Sequence, residues 1–156
     1  MNNFFDFTEE EDRVIFTNGC FDMLHYGHIR FLQACKNLGG KLVVGINSDT
    51  SVKNLKGEHR PIISEYERKH MLLALDCVDE VFVFVEENPL EAILMMQPEI
   101  YVKSSESRKA NLPEFEAVKS YGGKVMIITP DDRMKQFSTT KIIDKIFKTE
   151  LERRMK

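Results

Sequence analysis

Short runs of β-branched residues alternate with longer stretches of helical periodicity along nearly the whole chain. The strand-like runs cover residues 14–17, 42–46, 81–85, 100–102 and 125–129. Strands that are separated by helices do not pair as hairpins, and they are buried most readily in a parallel sheet whose crossover helices cover both faces. The alternation therefore predicts a doubly wound α/β domain with a five-stranded parallel sheet and helices on both faces.

Five helices are predicted in strict alternation with these strands, and local signals place their ends. The first carries an apolar stripe at residues 31, 34, 35 and 38 and stops at Gly39-Gly40. The second opens with a capping box, Ser64 and Glu67, and its predicted buried stripe is Met71, Leu72 and Leu75. Between the second strand and this helix, residues 50–63 show little periodicity, so we predict a long basic loop there.

The other three helices are predicted from caps and from apolar spacing. Asn88 is the predicted N-cap of the third, with Pro89 at its first helical position. The fourth covers residues 113–121 and stops at Gly122-Gly123. The last is capped by Ser138-Thr139-Thr140, and its predicted inward-facing residues are Ile142, Ile143, Ile146 and Phe147.

Composition narrows the class of protein. The 156 residues are 42% hydrophobic and carry a net charge of −3, which predicts one globular domain over 1–156, with a core at about 13–147, an acidic lead-in and a charged tail. A net charge this close to zero argues against a nucleic-acid-binding protein, because such proteins usually carry an excess of basic residues. It has no apolar run of about 18 residues for a membrane span. Three cysteines without a CxxC pair and an acidic N-terminal stretch favour a cytoplasmic location.

Residues 17–28, directly after the first strand, carry the strongest chemical signal. Ligands of doubly wound sheets bind beyond the carboxyl ends of the strands, near the switch point in strand order. Gly19 is expected to allow a tight turn, and Gly27 to leave room for a phosphate against the backbone. His25 and His28 are three residues apart at a predicted helix start, where unpaired N–H groups attract anions. This pattern predicts a phosphate pocket; a zinc site would lack further ligands at suitable spacing.

The same residues resemble a known family. Asn18-Gly19-Cys20-Phe21-Asp22 followed by His25-Tyr26-Gly27-His28 is similar to the HxGH signature of cytidylyltransferase-like nucleotidyltransferases. Two further blocks resemble bacterial heptose 1-phosphate adenylyltransferases: Asn47-Ser48-Asp49 with 53–57 and Arg60-Pro61, and Glu67-Arg68 with Val78-Asp79-Glu80-Val81. Ser138-Thr139-Thr140-Lys141 resembles the STT motif of the same family. The four blocks occur in the family's order and span about residues 14–147.

The resemblance implies a Rossmann-like fold and transfer of a nucleoside monophosphate from a nucleoside triphosphate, most closely ATP, to a heptose 1-phosphate-like sugar phosphate, with release of pyrophosphate. It also implies Mg²⁺ bound with the triphosphate, and a homodimer. No protein ligand is assigned to the metal. Neither nucleic acid nor membrane is expected as a partner.

Three groups of site residues are predicted from the motifs and the basic residues. The residues predicted to be catalytic are His28, His25, Lys56 and Arg68, of which His28 is expected to matter most. The predicted nucleotide-binding residues are Thr17, Asn18, Gly19, Cys20, Phe21, Asp22, Gly27, Asp49, Lys53, Ser138, Thr139 and Thr140. The predicted acceptor-binding residues are Arg60, Lys103, Glu106 and Arg133. Imidazole has an ordinary pKa near 6.5, so neutral and cationic forms are both expected at pH 7.

The segment after the fourth strand departs from the resemblance. Heptose adenylyltransferases look like VKGGDY here, whereas this chain has Val102-Lys103-Ser104-Ser105-Glu106. A serine restricts positive φ where glycine does not. The position of Arg133, five residues before Ser138, instead resembles an arginine of glycerol 3-phosphate cytidylyltransferases, which use CTP. Two alternatives therefore stay open: a polyol-phosphate or sugar-phosphate cytidylyltransferase, and a nucleotide-binding module without catalysis.

Overall fold

The computed structural model of the chain describes residues 13–105, 112–129 and 136–155. Strands and helices alternate through these ranges, with two helices between the second and third strands. In chain order the elements are β1 Val14–Gly19, α1 Tyr26–Lys36, β2 Lys41–Asn47, α2 Asp49–Lys56, α3 Glu65–Leu73, β3 Glu80–Phe84, α4 Leu90–Met96, β4 Ile100–Ser104, α5 Pro113–Ser120, β5 Lys124–Ile128 and α6 Thr139–Arg154.

The five strands form one parallel sheet in the order β3-β2-β1-β4-β5. The chain builds outward from β1 in one direction and then returns to β1 to build in the other. The switch point therefore lies between β1 and β4, where Thr17 pairs with Val102. The predicted doubly wound parallel sheet is confirmed, with six described helices rather than five.

Two apolar clusters cover the two faces of the sheet. Successive residues of a strand point to opposite faces, so Ile15 enters one cluster and Phe16 the other. The first cluster receives Leu32 from α1 and Leu72 from α3. The second receives Ile93 from α4 and Val118 from α5. Helices on both faces are therefore confirmed, and the two-sided burial explains the continuous apolar runs of β1 and β2.

The predicted loop over residues 50–63 is wrong in its first half. Asp49–Lys56 is a helix whose N-cap, Ser48, accepts a hydrogen bond from the Ser51 backbone N–H. Val52 is its one fully buried apolar residue. An apolar stripe of one residue gives no detectable periodicity, because this helix is stabilised mainly by its cap and by polar contacts with α3.

Three other local predictions need correction. Met71 in α3 is exposed, whereas Leu72 is buried. Pro89 is the N-cap residue of α4 rather than its first helical residue, although the Asn88 side chain still accepts from the Leu90 N–H. Ile146 and Phe147 of α6 are exposed, although the sequence predicts that they face inward.

No described helix is both long enough and apolar enough to cross a bilayer.

Candidate active site

A cavity of about 600 Å³ opens at the carboxyl edge of the sheet, over the switch point. Fourteen of the predicted site residues line it. From the turn after β1 and the start of α1 come Asn18, Gly19, Cys20, Phe21, Asp22, His25, Gly27 and His28. From the other segments come Lys56, Arg60, Lys103, Ser138, Thr139 and Thr140. The structure thus brings together segments that are up to about 120 residues apart in sequence, at the edge where ligands of such sheets bind.

The turn between β1 and α1 is tight, but glycine is not what allows it. The residues with left-handed backbone are Phe21 (φ 48°) and Met23 (φ 56°). Gly19 has a different role, since a Cβ there would lie 3.0 Å from the Phe21 ring and would push that ring by a few tenths of an ångström. Gly27 likewise makes room for a side chain, because its Cβ would lie 3.1 Å from the His25 ring.

His25 and His28 form a stacked pair at the start of α1. Their ring centroids are 3.7 Å apart with an interplanar angle of 21°. His25 is the N-cap residue, and its Nδ1 accepts from the His28 backbone N–H at 3.4 Å. A neutral His25 therefore carries its proton on Nε2. Phe21 packs against the His28 ring, at 5.1 Å between centroids, so the aromatic turn holds the second imidazole in place.

His28 is held as a neutral imidazole, contrary to the expectation that both forms are accessible at pH 7. Burial, together with the neighbouring His25, lowers the pKa of His28 to about 3. Its buried Nδ1 has no hydrogen-bond partner within the described part of the chain. A buried ring nitrogen without a partner is costly unless a ligand satisfies it. The ligand-free site is therefore prepared for a group that brings hydrogen-bonding atoms or negative charge.

The depressed pKa of His28 predicts a loss of stability in mild acid. The unfolded chain takes up a proton below about pH 6.5, whereas folded His28 does so only near pH 3, so the free energy of unfolding falls as the pH drops between these values. From pH 7 to pH 5 we expect a loss of the order of 1–2 kcal/mol. Urea unfolding of the native protein and His28→Gln at both values measures it. Identical pH dependence in the two proteins would contradict the assignment.

Asp22 connects the β1–α1 turn to the segment before α3. Its carboxylate, which is 1% exposed, accepts from Arg60 Nε at 2.6 Å and from the backbone N–H groups of Ile62 and Ile63. Burial opposes ionisation, but these donors outweigh it and lower the pKa of Asp22. The Asp22 carbonyl also accepts from Thr139 Oγ1 at 2.6 Å, which ties the turn to α6. Asp22 thus organises the cavity wall.

Arg68 does not line the cavity. Its side chain is fully buried, and its guanidinium donates to Ile63 O, Cys20 O and Asp49 Oδ1 at 2.6–3.0 Å. These contacts hold the β1–α1 turn against α2 and α3, and the predicted catalytic role of Arg68 stays a prediction. Asp49 takes part in the same contact and, like Arg68, is not among the residues that line the cavity.

Two further predicted nucleotide-binding residues lie outside the cavity. Thr17 is buried in β1 and donates to Val102 O. Lys53 points outward on α2, where it pairs with Glu58 at 2.8 Å. Lys56, three residues later, does line the cavity, as the last residue of α2 rather than as part of a long basic loop. Glu106 and Arg133 lie outside the described residues.

Asn18 is the polar centre of the switch point. Its Oδ1 accepts from Tyr101 Oη at 2.8 Å and from Lys103 Nζ at 3.0 Å. Because two donors occupy the oxygen, the amide nitrogen is the group left to face a ligand. Ser104 lines the cavity beside them. Neither Ser104 nor Ser105 has positive φ, so serine is accommodated at these two departures from the glycine pattern without backbone strain.

The N-terminus of α6 is the second helix start at the cavity. Ser138 is its N-cap and accepts from the Lys141 backbone N–H at 3.2 Å. Thr139 uses its hydroxyl on the Asp22 carbonyl, so its backbone N–H rather than its hydroxyl is available to a ligand. The positive ends of two helix dipoles, α1 and α6, thus meet at one cavity together with Lys56, Arg60 and Lys103. Such an arrangement attracts a multiply charged anion.

Seven cavity residues were not among the sequence-predicted site residues: Phe31, Asn47, Leu55, Glu87, Ser104, Ile128 and Phe137. Asn47 could have been predicted as a cavity residue, since it directly follows the second strand run. Its amide donates to Ser51 Oγ at 2.9 Å and to Glu86 O at 3.3 Å, which fixes the segment that presents Glu87. Phe137 packs edge-on against Tyr26, at 5.3 Å between centroids.

The fold and the cavity define an α/β domain with a cation-lined cavity at the switch point of its sheet, a type of site that suits phosphorylated ligands. The chain belongs to the cytidylyltransferase-like family, whose family model matches residues 16–145. This confirms the family predicted from the histidine motif and the STT block, and it makes the chain a domain of the nucleotidyltransferase type.

Comparison with individual known proteins agrees with this family assignment. "Bifunctional protein HldE" of Geotalea uraniireducens is 50% identical over 134 residues, which are 86% of this chain and 27% of that protein. The chain therefore spans about a quarter of the length of the curated relatives it matches. The lipopolysaccharide core biosynthesis protein of Thermoplasma volcanium superposes with a TM-score of 0.63 at 27% identity, covering 75% of this chain and 94% of that one. Pantothenate synthetase of Thermus thermophilus shares the fold, with a TM-score of 0.53 at 16% identity over 77% of this chain and 56% of that one.

Proposed function

We propose that this chain transfers the adenylyl group of ATP to a sugar phosphate of the heptose 1-phosphate type and releases pyrophosphate. The observation that carries the proposal is the stacked His25–His28 pair at the N-terminus of α1, in the cavity that also receives the N-terminus of α6. The ordered motifs that resemble heptose 1-phosphate adenylyltransferases support the acceptor and the base. So does the identity of 44–50% with proteins named HldE.

The proposed reaction is an in-line displacement at the α-phosphorus. An oxygen of the acceptor's phosphate forms a bond to that phosphorus while the bond to the β-phosphate oxygen breaks, and the electron pair leaves with pyrophosphate. This chemistry needs positioning and charge stabilisation more than covalent help from the protein. Neutral His28 donates its N–H to a phosphate oxygen on which negative charge grows. The amide of Asn18 and the N–H groups of α6 hold other phosphate oxygens.

The basic residues divide by position. Lys56 ends α2 and Arg60 lies between α2 and α3, so both follow β2 in the chain, whereas Lys103 is a residue of β4. Arg60 is oriented by its contact with Asp22, and Glu87, which follows β3, also lines the cavity. A carboxylate beside cations is suited to accept from the hydroxyls of a sugar that carries a phosphate. We therefore propose that the acceptor binds on the β2 side and that the triphosphate extends toward α6.

Lys56 and Lys53 provide a matched pair on one helix. Lys56→Ala removes a cation from the cavity, so we expect kcat/KM to fall by about tenfold or more, as for the loss of one charge-assisted hydrogen bond. Lys53→Ala removes a cation that pairs with Glu58 on the surface, and we expect a change of less than about twofold. Initial rates of pyrophosphate release measure both. Equal losses in the two variants would refute the placement of Lys56.

We propose that Mg²⁺ binds together with the triphosphate. Of the described residues that line the cavity, Asp22 and Glu87 carry carboxylates, and Asp22 is already engaged by Arg60 and two backbone N–H groups. No group of three or more His, Cys, Asp or Glu side chains in the described ranges is placed to hold a metal. The residues therefore fit an ion coordinated by phosphate oxygens and water, and we assign it no protein ligand. The predicted homodimer stays a prediction.

A substrate panel tests the function. The protein is incubated with Mg²⁺, each of ATP, CTP, GTP and UTP, and a set of heptose, hexose and polyol phosphates, and pyrophosphate release is followed. We expect turnover with ATP and a heptose 1-phosphate. Turnover with CTP and glycerol 3-phosphate alone would favour the cytidylyltransferase alternative instead. Tight ATP binding without turnover on any acceptor would favour a binding module.

A further inference from the structure

Glu114 is a buried carboxylate that the proposed reaction does not use. It lies in the first turn of α5 and is 4% exposed. Within the described part of the chain, its Oε2 is buried without a hydrogen-bond partner. Burying a carboxylate in this way is costly, so a native fold that does so calls for a compensating charge nearby.

The geometry of β4 identifies the group that faces this carboxylate. Tyr101 and Lys103 are two residues apart in one strand, so they share a face of the sheet. That face is the one covered by α5, because Tyr101 belongs to the cluster that contains Val118 and its ring packs edge-on against Phe115, the neighbour of Glu114, at 6.2 Å. The first turn of α5 therefore lies next to Tyr101 and Lys103.

Lys103 is the cation at this position. Its Nζ donates to Asn18 Oδ1 at 3.0 Å and lies 5.9 Å from the centre of the Tyr101 ring. Burial lowers the pKa of Lys103; the Glu114 carboxylate and, to a lesser extent, the thiolate form of Cys20 act in the opposite direction. The residue paired with Lys103 on β5 is the apolar Ile127. Glu114 is thus the main charge that favours the ammonium form among the described residues.

We propose that Glu114 is a positioning residue, a buried counter-charge that keeps Lys103 protonated and available to a phosphate group of the ligand. The two groups make no ion pair within 4 Å, so donors of the Lys103 ammonium stay available to phosphate rather than being consumed by the carboxylate. This proposal rests on the proposed function, because the charge of Lys103 matters for activity when the cavity binds a phosphorylated ligand. The coupling of the two side chains, however, is measurable without a ligand.

The first test measures the protonation of Lys103 in the ligand-free protein. Competitive acetylation with acetic anhydride between about pH 7 and about pH 11, read by mass spectrometry of the peptide containing Lys103, gives its pKa. In Glu114→Gln we expect this pKa to fall by about one unit or more, as for the loss of a nearby opposite charge. Glu116→Gln is the matched control, since Glu116 is an exposed carboxylate two residues along the same helix, and it should leave the pKa of Lys103 unchanged.

The outcomes of this labelling experiment separate coupling from packing. An unchanged pKa of Lys103 in Glu114→Gln overturns the proposal. Should Glu114→Gln unfold at the working temperature, Glu114→Asp takes its place: it keeps the charge but withdraws it by one methylene, so an intermediate fall of the pKa is expected. A native pKa of Lys103 in a folded Glu114→Asp, with Glu114→Gln unfolded, also counts against the coupling.

The second test follows ATP binding against pH. In Glu114→Gln the alkaline loss of affinity should begin about one pH unit lower than in the native protein. In a Lys103→Arg background the same change should produce no shift, because a guanidinium stays protonated. Weaker binding by the same factor at every pH, in both backgrounds, would assign Glu114 to packing and overturn the proposal. If the native protein binds no nucleotide, the proposed function fails, while the labelling experiment still decides the coupling.

Discussion

His28→Ala is expected to lower kcat by on the order of a hundredfold or more while the protein stays folded. The reason is the arrangement of the donor: burial and the stack with His25 hold this imidazole neutral and fixed before the substrate arrives. A donor that needs no reorganisation during the reaction contributes most where charge develops, and losing one such donor typically costs a hundredfold to a thousandfold. Pyrophosphate release under saturating substrates measures the effect.

His70→Ala is the matched control. His70 is an imidazole on α3 that packs on Tyr66, at 4.2 Å between ring centroids, and does not line the cavity. We expect its turnover to stay within about twofold of the native value, as for a surface substitution. The melting temperature of both variants shows whether the fold is kept. A folded His28→Ala protein with native turnover would contradict the role assigned to this residue.

The sheet was predictable from the sequence because each of its strands is indicated by a few consecutive residues. The β-branched runs from Val14, Leu42, Val81, Ile100 and Val125 are short and separated by helical lengths, which leaves few topologies that avoid crossed connections. The histidine motif was predictable for the same reason, since His25 and His28 need only one helix turn to meet. In both cases the pattern that predicts the feature lies within a short stretch of the chain.

Contacts across long sequence separations were not predictable. Arg68 shows the difference: its spacing within a capped helix indicates a fixed position, but its partner Cys20 O is 48 residues away. A buried structural arginine and a phosphate-binding arginine look alike in sequence, since both are isolated cations near a motif. The helix α2 was missed because Val52 is its one fully buried apolar residue, so cap and tertiary contacts rather than periodicity determine it.

Arg68→Met is expected to destabilise the fold by about 2–4 kcal/mol, because two backbone carbonyls lose a charged donor, whereas the Asp49 carboxylate left behind is 42% exposed. Methionine fills most of the volume but donates no hydrogen bond, so the carbonyls of Cys20 and Ile63 lose their donor. The free energy of unfolding in urea measures the loss. Because Arg68 holds the turn that carries the cavity residues, kcat/KM should also fall in protein that stays folded at low temperature.

Two further variants separate the contributions of Arg68. Arg68→Lys keeps a positive charge near Asp49 but cannot reproduce the planar fork that reaches three acceptors, so most of the stability should stay lost. Arg153→Ala removes an arginine whose side chain is 76% exposed, and its effect should stay within about 0.5 kcal/mol. Native stability in Arg68→Met would mean that the β1–α1 turn holds its shape without this guanidinium. The histidine pair would then be held to the rest of the cavity wall by the contacts of Asp22 and Thr139 and by the packing of Phe21.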